Sequence, residues 1–459
     1  MIKKYMLVLT LCWLPYIIIF YPGGLWWDVC TQLWQWKGWF PWTTHHPVFT
    51  TIVYGIYIDL GQAIGNANLA LFVHNIGLVI MAIWVISYGV TYLYEISKKK
   101  WACNILLLFF GILLLWPMNF YCMSKDATYT VGVLMLTISL IQIVEQKGNL
   151  KRSQWIFLTV GVILIDLCRK NGIVLLLVIV VFLVFRYWKK TALKKFLICF
   201  WGVIIGCGLA SRIACGVYDV GEGSVREILS VPLQQTARYM TYYGDDVTSE
   251  EREILEKYID IDVLAGLYDP QMSDDVKFLF KEDADLGDVL DYAKAWFSMG
   301  IRHPKCYIKA TWDNVCGYIN PFVPLYKSDY AQFDINGVDS YIKDFNLYQN
   351  ATFQEGREIL RSFANKVSEL PVIRLLFRTG IYIWIWIGLI AIICRKKKRE
   401  MLLPTIPGCI TWLVCLISPV NAYFRYILPM AVSMPILLTW VMLHIFIKDD
   451  NKEENHGIE

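Results

Sequence analysis

The chain is divided into apolar segments of 12 to 25 residues by short clusters of Lys and Arg, and this alternation limits the folds open to it. A helix of about 20 apolar residues crosses a bilayer. The sequence therefore predicts an all-α polytopic membrane protein with a bundle of about ten transmembrane helices. The shorter helices are expected to pack against other helices rather than against lipid. The predicted spans are 5–20, 69–93, 102–117, 127–144, 155–168, 173–184, 196–213, 376–394, 402–417 and 427–446.

The overall composition excludes several classes of protein. Hydrophobic residues make up 56 % of the chain and charged residues 18 %, whereas soluble domains carry about 25 % charged residues. A wholly soluble enzyme, a disordered chain, a collagen and a disulfide-rich secreted scaffold are therefore ruled out.

Acidic residues are concentrated in one block, which divides the chain into four parts. Residues 214–373 hold 27 Asp and Glu against 15 Lys and Arg, which predicts an acidic extracytoplasmic domain. Residues 1–213 form an N-terminal membrane module with seven spans, and its outer loop is 21–68. Residues 374–448 form a C-terminal module with three spans, and 449–459 a disordered acidic cytoplasmic tail. The remaining bases lie in short clusters between apolar segments, which argues against a nucleic-acid partner.

The basic clusters predict the orientation in the cell membrane. With the N-terminus in the cytoplasm, the clusters at 98–100, 147–152, 186–195 and 395–399 all face inward, as does the C-terminal tail. Residues 214–373 then face outward. Segment 48–66 is predicted to be an interfacial or re-entrant helix, because one more span there would move every later basic cluster outside.

The acidic block is predicted to be mainly helical. Thr248 or Ser249 is suited to cap a polar helix, and residues 288–316 have helical periodicity that is interrupted near His303. Cys306 and Cys316 are expected to be free thiols, because they lie ten residues apart on what reads as one long helix.

Ionisable residues at the outer ends of spans are the candidates for function, because charge is costly near a membrane. Asp28 follows the first span in a Trp-rich loop, where it is either a general base with a tuned pKa or a helix cap. Asp126 is either an N-cap or a second acidic group, and Lys125 beside it is suited to bind phosphate. His45 and His46 are a weak metal signal as an isolated pair, and capping or phosphate contact fits them better.

Cations at the outer interface are the second group of candidates. Arg169 and Lys170 lie three and four residues after Asp166, on one helical face. They either bind a lipid phosphate or form a structural ion pair with Asp166. Arg425, the only base between the last two spans, has a guanidinium suited to phosphate, or it extends to the interface.

These motifs resemble the GT-C superfamily of lipid-phosphate-sugar glycosyltransferases, which includes protein O-mannosyltransferases and the aminoarabinose transferase of lipid A. The likeness covers mainly residues 1–190 and the end of the last outer loop. Asp28 stands where that family has its catalytic acid, although Val29 follows it instead of a second acid. His-His-Pro-Val at 45–48, Lys-Asp at 125–126 and Arg-Tyr-Ile-Leu-Pro at 425–429 match its further motifs. The string at 232–238 also resembles a bacterial multi-pass membrane protein family of unassigned activity.

The resemblance implies an inverting glycosyltransferase that uses a polyprenyl-phosphate sugar donor on the outer face of the membrane. Asp28 would accept the proton of an acceptor hydroxyl on a glycan, lipid or protein. Donor phosphate would be held by Lys125, Arg169, Lys170 and Arg425. A second acidic, metal or substrate contact would come from Asp126, His45 and His46. A divalent metal ion is compatible with this arrangement but not required, because fixed cations can neutralise the phosphate.

Two other classes of function remain open. A transporter or flippase of a lipid-linked or anionic substrate would show inverted repeats or interrupted spans in corresponding halves, and the sequence shows neither. A scaffold that displays the acidic block would need far fewer spans. A site at the outer leaflet favours the transferase, whereas a path through the midplane favours transport.

The topology can be tested by cysteine labelling in a background without other reactive thiols. We expect a membrane-impermeant maleimide applied from outside to label Glu250→Cys and to leave Lys99→Cys unlabelled, because positions 250 and 99 are predicted to face opposite sides. Permeabilised cells, in which both positions should react, are the control. The reverse pattern would contradict the orientation.

Overall fold

The protein is described by a computed structural model that covers residues 1–188, 192–325, 345–348 and 351–447. Most of these residues are helical, which confirms the predicted all-α class. The one sheet among them is a parallel pair of two-residue strands, β1 (Gly24–Leu25) and β2 (Cys122–Met123). The predicted tail 449–459 lies outside the described residues.

The N-terminal module consists of long helices joined by short connections. Its helices are α1 (Ile2–Ile19), α2 (Trp27–Trp36), α3 (Val48–Ala63), α4 (Ala67–Ser97), α5 (Lys100–Ile112), α6 (Leu115–Phe120), α7 (Lys125–Glu145), α8 (Arg152–Cys168), α9 (Gly172–Tyr187) and α10 (Ala192–Val217).

The helices of the acidic block are shorter, and long helices return after it. The block contains α11 (Ser230–Tyr243), α12 (Ser249–Glu256), α13 (Ile261–Leu264), α14 (Asp274–Lys277), α15 (Leu286–Arg302), α16 (Pro304–Val315) and α17 (Gln354–Glu369). The C-terminal module contains α18 (Thr379–Arg395), α19 (Ile406–Cys415) and α20 (Phe424–Met442).

Five helices in the described part of the chain are long and apolar enough to cross a membrane, which is compatible with a multi-pass membrane protein. They are Ile2–Ile19, Ala67–Ser97, Lys125–Glu145, Ala192–Val217 and Phe424–Ile445. The other five predicted spans correspond to shorter helices. The shortest, α19, has ten residues and a length of about 15 Å, half the thickness of a hydrocarbon core. Helix length therefore accounts for five spans, and the count of ten stays a prediction.

Helix α7 is the centre of the membrane module, with nearly its whole length buried between α8, α20 and α4. Two glycines allow α7 and α8 to approach closely. A Cβ on Gly161 would lie 2.9 Å from the Cβ of Met135 and 3.2 Å from the carbonyl oxygen of Gly132. The burial of α7 fixes the position of its N-terminus relative to its neighbours.

The acidic block has its own hydrophobic core, formed by α11–α16 around Leu233, Tyr239 and Met299. Thr248 caps α12 in a capping box with Glu251, which confirms the predicted helix start. The predicted break near His303 separates α15 from α16. All thirteen cysteines are free thiols, including Cys306 and Cys316. Helix α10 runs to Val217, four residues beyond the predicted module boundary.

The contact between α7 and α8 can be tested with Gly161→Ala. The added methyl group overpacks the contact, so we expect a loss of about 1–3 kcal/mol in the free energy of unfolding. The measurement is thermal unfolding in detergent, followed by tryptophan fluorescence. Gly202→Ala is the control, because no neighbouring atom lies within 4 Å of its added Cβ and helix propensity favours Ala by up to about 1 kcal/mol. Equal shifts in the two variants would contradict the close packing.

Candidate functional site

The two short strands bring two helix N-termini together. Leu25 pairs with Met123 in parallel register, and each strand leads directly into a helix: β1 into α2 and β2 into α7. Asp28 and Asp126 are both second residues of their helices, so the pairing places these carboxylates in neighbouring first turns. Ser124 caps α7 by accepting a hydrogen bond from the Asp126 backbone N–H.

The approach to β1 depends on a glycine and an asparagine. Gly23 has φ +98°, and a Cβ there would lie 2.4 Å from Nδ2 of Asn75. Asn75 is buried in α4 and donates to the carbonyl oxygens of Pro22 and Gly24 at 3.3 and 3.0 Å. These contacts fix the turn that delivers Asp28 to the site.

Arg425 joins the two carboxylates. It is the second residue of α20, and its Nη1 lies 3.3 Å from Oδ2 of Asp28 and 3.5 Å from Oδ2 of Asp126. The side chain of Arg425 is only 11 % exposed. Three helix N-termini, those of α2, α7 and α20, therefore meet at one guanidinium. Helix N-termini favour negative charge, which makes this a suitable place for an anion.

Two further cations complete the cluster. Nζ of Lys125 lies 2.8 Å from Oδ2 of Asp28 and donates to Nδ1 of His46 at 2.8 Å. Nε of Arg169, at the end of α8, lies 3.0 Å from Oδ1 of Asp126. With His46 neutral, three cations face two carboxylates and the cluster carries one net positive charge. We name Asp28, His46, Lys125, Asp126, Arg169 and Arg425 the cation–carboxylate cluster.

Some polar atoms of this cluster have no hydrogen-bond partner. The side chain of Asp126 is 3 % exposed, and its two oxygens face guanidinium groups without the geometry of a hydrogen bond. Nε of Arg425 is also buried without an acceptor. Because buried polar atoms are usually satisfied, these atoms indicate that the cluster has capacity for a ligand.

Aromatic rings surround the guanidinium groups. The Arg425 guanidinium lies 4.7–5.0 Å from the ring centres of Trp26, Tyr423 and Tyr426. Arg169 lies 5.4 Å from the ring of Tyr129 and 5.6 Å from that of Tyr426. The rings exclude water, which strengthens the electrostatic interactions of the cations.

Burial and neighbouring charges shift the pKa values of Asp28 and His46. Burial alone would raise the pKa of Asp28, but the charges of Arg425 and Lys125 outweigh it and hold this pKa well below its usual 3.8. Burial and the Lys125 ammonium hold the pKa of His46 well below 6.5. Asp28 is therefore ionised and His46 neutral at neutral pH.

Asp28 also faces a cleft of about 940 Å³. One wall comes from α2 and the loop that follows it, including Trp27, His45 and His46. The opposite wall comes from the acidic block, at residues 222–227, Phe278 and residues 282–287. The side chain of Asp28 is 24 % exposed, so the cluster communicates with solvent on this side.

The predicted site residues fall into two groups. Asp28, His46, Lys125, Asp126, Arg169 and Arg425 meet in the cluster. His45 lies at its edge, where its ring is 4.4 Å from that of His46 and its Nδ1 is 3.5 Å from Glu227. The Lys170 residue is exposed. Partial desolvation of its ammonium group lowers its pKa, an effect that Glu227 opposes and Lys125 increases. Arg169 pairs with Asp126 rather than with Asp166, which contacts Cys207 of α10 instead.

The residues do not fit a metal centre. In the described ranges, no group of three or more His, Cys, Asp and Glu side chains is placed to hold a metal ion. Of the three residues predicted as metal or substrate contacts, Asp126 and His46 already face cations, and His45 lies beside Glu227.

Sequence reasoning missed the aromatic rings and the contribution of the acidic block. Tyr423 and Tyr426 lie close to Arg425 in sequence, so their contact with its guanidinium could have been predicted. Trp26 belongs to the Trp-rich loop that contains Asp28, and only the fold places its ring against Arg425. Nothing in the local sequence linked Glu227 to His45.

The buried neutral His46 predicts a specific pH dependence. Its folded-state pKa is depressed, so its contribution to stability is present above pH 6.5 and is lost as the pH falls through the lowered pKa. His46→Gln keeps an acceptor near Lys125 but cannot titrate. Relative to this variant, the wild type should lose up to about 1.4 kcal/mol per pH unit below pH 6.5.

The measurement is chemical denaturation of both proteins between pH 5 and 8.5. The range from pH 7.5 to 8.5 is the control, where the difference in stability should be constant. Parallel curves down to pH 5 would contradict a buried neutral His46.

Comparison with known proteins assigns the chain to a family but not to an activity. No curated protein and no solved structure matches it. The family described as "Family of unknown function (DUF6020)" matches residues 40–456. The matched region contains every residue of the cation–carboxylate cluster except Asp28. Because the match covers most of the sequence, the chain belongs to this family of unknown function.

Proposed function

We propose that the protein is a membrane glycosyltransferase, which transfers a sugar from a polyprenyl-phosphate donor to an acceptor hydroxyl on the outer face of the membrane. The observation that carries the proposal is the position of Asp28. Its Oδ2 contacts Lys125 and Arg425, while the residue also lines the open cleft. A carboxylate between a cation cluster and a solvent-filled cleft suits a base that acts between a phosphate leaving group and an acceptor.

The cations are suited to bind the donor phosphate. A polyprenyl-phosphate sugar is a phosphodiester with one negative charge, which would balance the one net positive charge of the cluster. Nε of Arg425 is buried and has no acceptor among the described residues, and the N-terminus of α20 favours an anion. As the bond to the sugar breaks, the phosphate gains a second negative charge, which Lys125, Arg169 and Arg425 would stabilise.

Asp28 would accept the proton. The acceptor oxygen attacks the anomeric carbon from the cleft, the bond between that carbon and the phosphate oxygen breaks, and its electron pair leaves with the phosphate. The acceptor proton passes to Asp28. Both ion pairs of Asp28 fall on Oδ2, so Oδ1 is the oxygen suited to take it. Attack opposite the leaving group inverts the anomeric centre.

Donor binding would also activate the base. A carboxylate with a depressed pKa is a weak base, and the pKa of Asp28 is depressed by Arg425 and Lys125 despite its burial. A phosphate that draws these cations away from Oδ2 would raise this pKa towards its usual value. Proton acceptance would then be coupled to the presence of donor.

The positions of charged residues along individual helices support the proposed orientation. In α7, Lys125 and Asp126 stand at the N-terminus, and Lys147 of a basic cluster follows the C-terminus about 30 Å away. In α8, Arg152 stands at the start and Arg169 at the end. The site and the basic clusters therefore occupy opposite ends of these helices. A ten-span GT-C-like bundle with cytoplasmic termini and residues 214–373 outside accommodates this arrangement.

The same geometry disfavours a transporter. A transport site is expected near the midplane, at interrupted helices. The cluster instead uses the first turns of α2, α7 and α20, at one end of the apolar helices. The cleft at Asp28 opens towards the acidic block.

Asp28→Asn tests the proposed base. The variant keeps the size of the side chain but cannot accept the proton, so we expect transfer from a panel of polyprenyl-phosphate sugars to fall by roughly 10²–10⁴. Asp28 is the second residue of α2 and not its N-cap. If it served only the charge of the helix N-terminus, Asn would cost about 0.3–1 kcal/mol of stability and leave activity nearly intact. Asp59→Asn is the control, because Asp59 is an ion-paired carboxylate of the same outer region outside the cluster. A fully active Asp28→Asn protein would refute the mechanism.

Arg425→Lys tests the phosphate site. Lysine keeps the charge but lacks the planar fork of donors with which a guanidinium can contact two carboxylates and a phosphate. We expect the KM for donor to rise about tenfold or more, with a smaller effect on acceptor KM. Arg238→Lys, in the acidic block, is the control for the loss of a guanidinium paired with a carboxylate. An unchanged donor KM would contradict the role of Arg425.

A further inference from the structure

The wall that the acidic block contributes to the cleft is strongly negative. Five of its carboxylates line the cleft, and among the described residues that line it, Arg226 carries the one guanidinium. The five are Glu222, Glu227, Glu282, Asp283 and Asp285. Arg226 is 3.4 Å from Glu282, Lys277 is 2.9 Å from Glu227, and Lys281 is 3.7 Å from Asp283. Glu222 has no ion pair within the described ranges, so the cleft retains an excess of negative charge.

The other walls add aromatic rings and a fixed hydrogen-bond acceptor. Trp27, Phe40 and Phe278 line the cleft and are about half exposed. Gln35 also lines it and is 4 % exposed; its Nε2 donates to the Pro41 carbonyl, while its Oε1 has no hydrogen-bond partner. Exposed rings stack on flat or cationic ligands, and carboxylates with an amide oxygen accept protons from hydroxyl and ammonium groups.

The cleft is separate from the group of cations that we propose binds the donor phosphate. Lys125, Arg169 and Arg425 do not line it, and Asp28 stands at the boundary between the two. A phosphate bound in the cleft would face the carboxylates of the acidic block, and like charges repel. The cleft therefore suits the partner that brings the hydroxyl group and not the donor.

We infer that the cleft between α2 and the acidic block is the acceptor site, and that it takes a glycan with positively charged amino groups. That the bound glycan is the acceptor rests on the proposed function, whereas its binding in the cleft does not. The ammonium groups would contact Glu222 and Asp283, the sugar rings would stack on Trp27 and Phe278, and a hydroxyl group would lie at Asp28.

The test measures binding to the purified full-length protein in nanodiscs without donor. Three tetrasaccharide probes differ in charge: a cationic glucosamine oligomer, a neutral N-acetylglucosamine oligomer and an anionic galacturonate oligomer. We expect the cationic probe to bind about tenfold more tightly than the neutral one, and the anionic probe to show no saturable binding. Raising the salt concentration should weaken binding of the cationic probe alone.

Exposed carboxylates provide the variant and its control. Glu222→Gln with Asp283→Asn should weaken binding of the cationic probe about three- to tenfold, which corresponds to two surface charge contacts, and should leave the neutral probe unchanged. Glu253→Gln, an exposed α12 carboxylate outside the cleft, should change neither. Phe278→Ala should weaken both probes. Thermal unfolding verifies that each variant is folded.

The outcomes separate the two proposals. Equal binding of all probes, or an unaffected double variant, overturns the cationic acceptor site even if transfer is observed with other acceptors. Cationic-probe binding that depends on Glu222 and Asp283 supports the site, even if no polyprenyl-phosphate sugar reacts and the transferase proposal fails.

Discussion

The site depends on one guanidinium shared between two carboxylates. Asp28 and Asp126 enter from different helices, and without Arg425 between them their charges would repel in a poorly solvated place. Removing one partner of a buried ion pair typically costs about 3–5 kcal/mol, because the other charge stays buried. Arg425 therefore joins α2, α7 and α20, although it lies 397 positions after Asp28 in sequence. It also contributes to the positive charge that we assign to phosphate binding.

Buried polar atoms without hydrogen bonds distinguish the cation–carboxylate cluster from a structural salt bridge. A stabilising network would leave no buried donor or acceptor without a partner, yet Nε of Arg425 and both oxygens of Asp126 lack hydrogen bonds. The depressed pKa of Asp28 has the same origin, since Lys125 and Arg425 exceed what one carboxylate needs. A bound anion would supply the missing acceptor to Nε of Arg425 and would draw Lys125 and Arg425 away from Asp28.

The acidic block completes the site without contributing to the cation–carboxylate cluster. It has its own hydrophobic core, and its contacts with the membrane module include Glu227 at His45 and the Met272–Ser273 segment at Val420 and Pro419. Its negative wall closes the cleft opposite α2 and gives the two sides of Asp28 opposite electrostatic character. Under our proposals, that asymmetry would let one carboxylate separate an anionic donor from a cationic acceptor.

Local physics determined what the sequence could predict. The apolar segments, the Thr248 cap and the break at His303 depend on neighbouring residues. The structure has helices at the apolar segments, starts α12 after Thr248, and separates α15 from α16 at His303. The cost of charge near apolar segments also identified Asp28, Asp126 and Arg425 as candidates. The count of ten spans stays a prediction, because five helices in the described part of the chain have sufficient length.

Tertiary structure decided which charges meet. The sequence offered Asp166 as a partner for Arg169 because the two share one helical face, but the helix packing places Asp126 there instead. The pairing of Arg425 with Asp28, the ring of Trp26 over it and the wall supplied by Glu222 and Asp283 likewise involve residues far apart in the chain. Electrostatic partners are selected by distance in space and by burial, and these quantities exist only once α2, α7 and α20 have packed together.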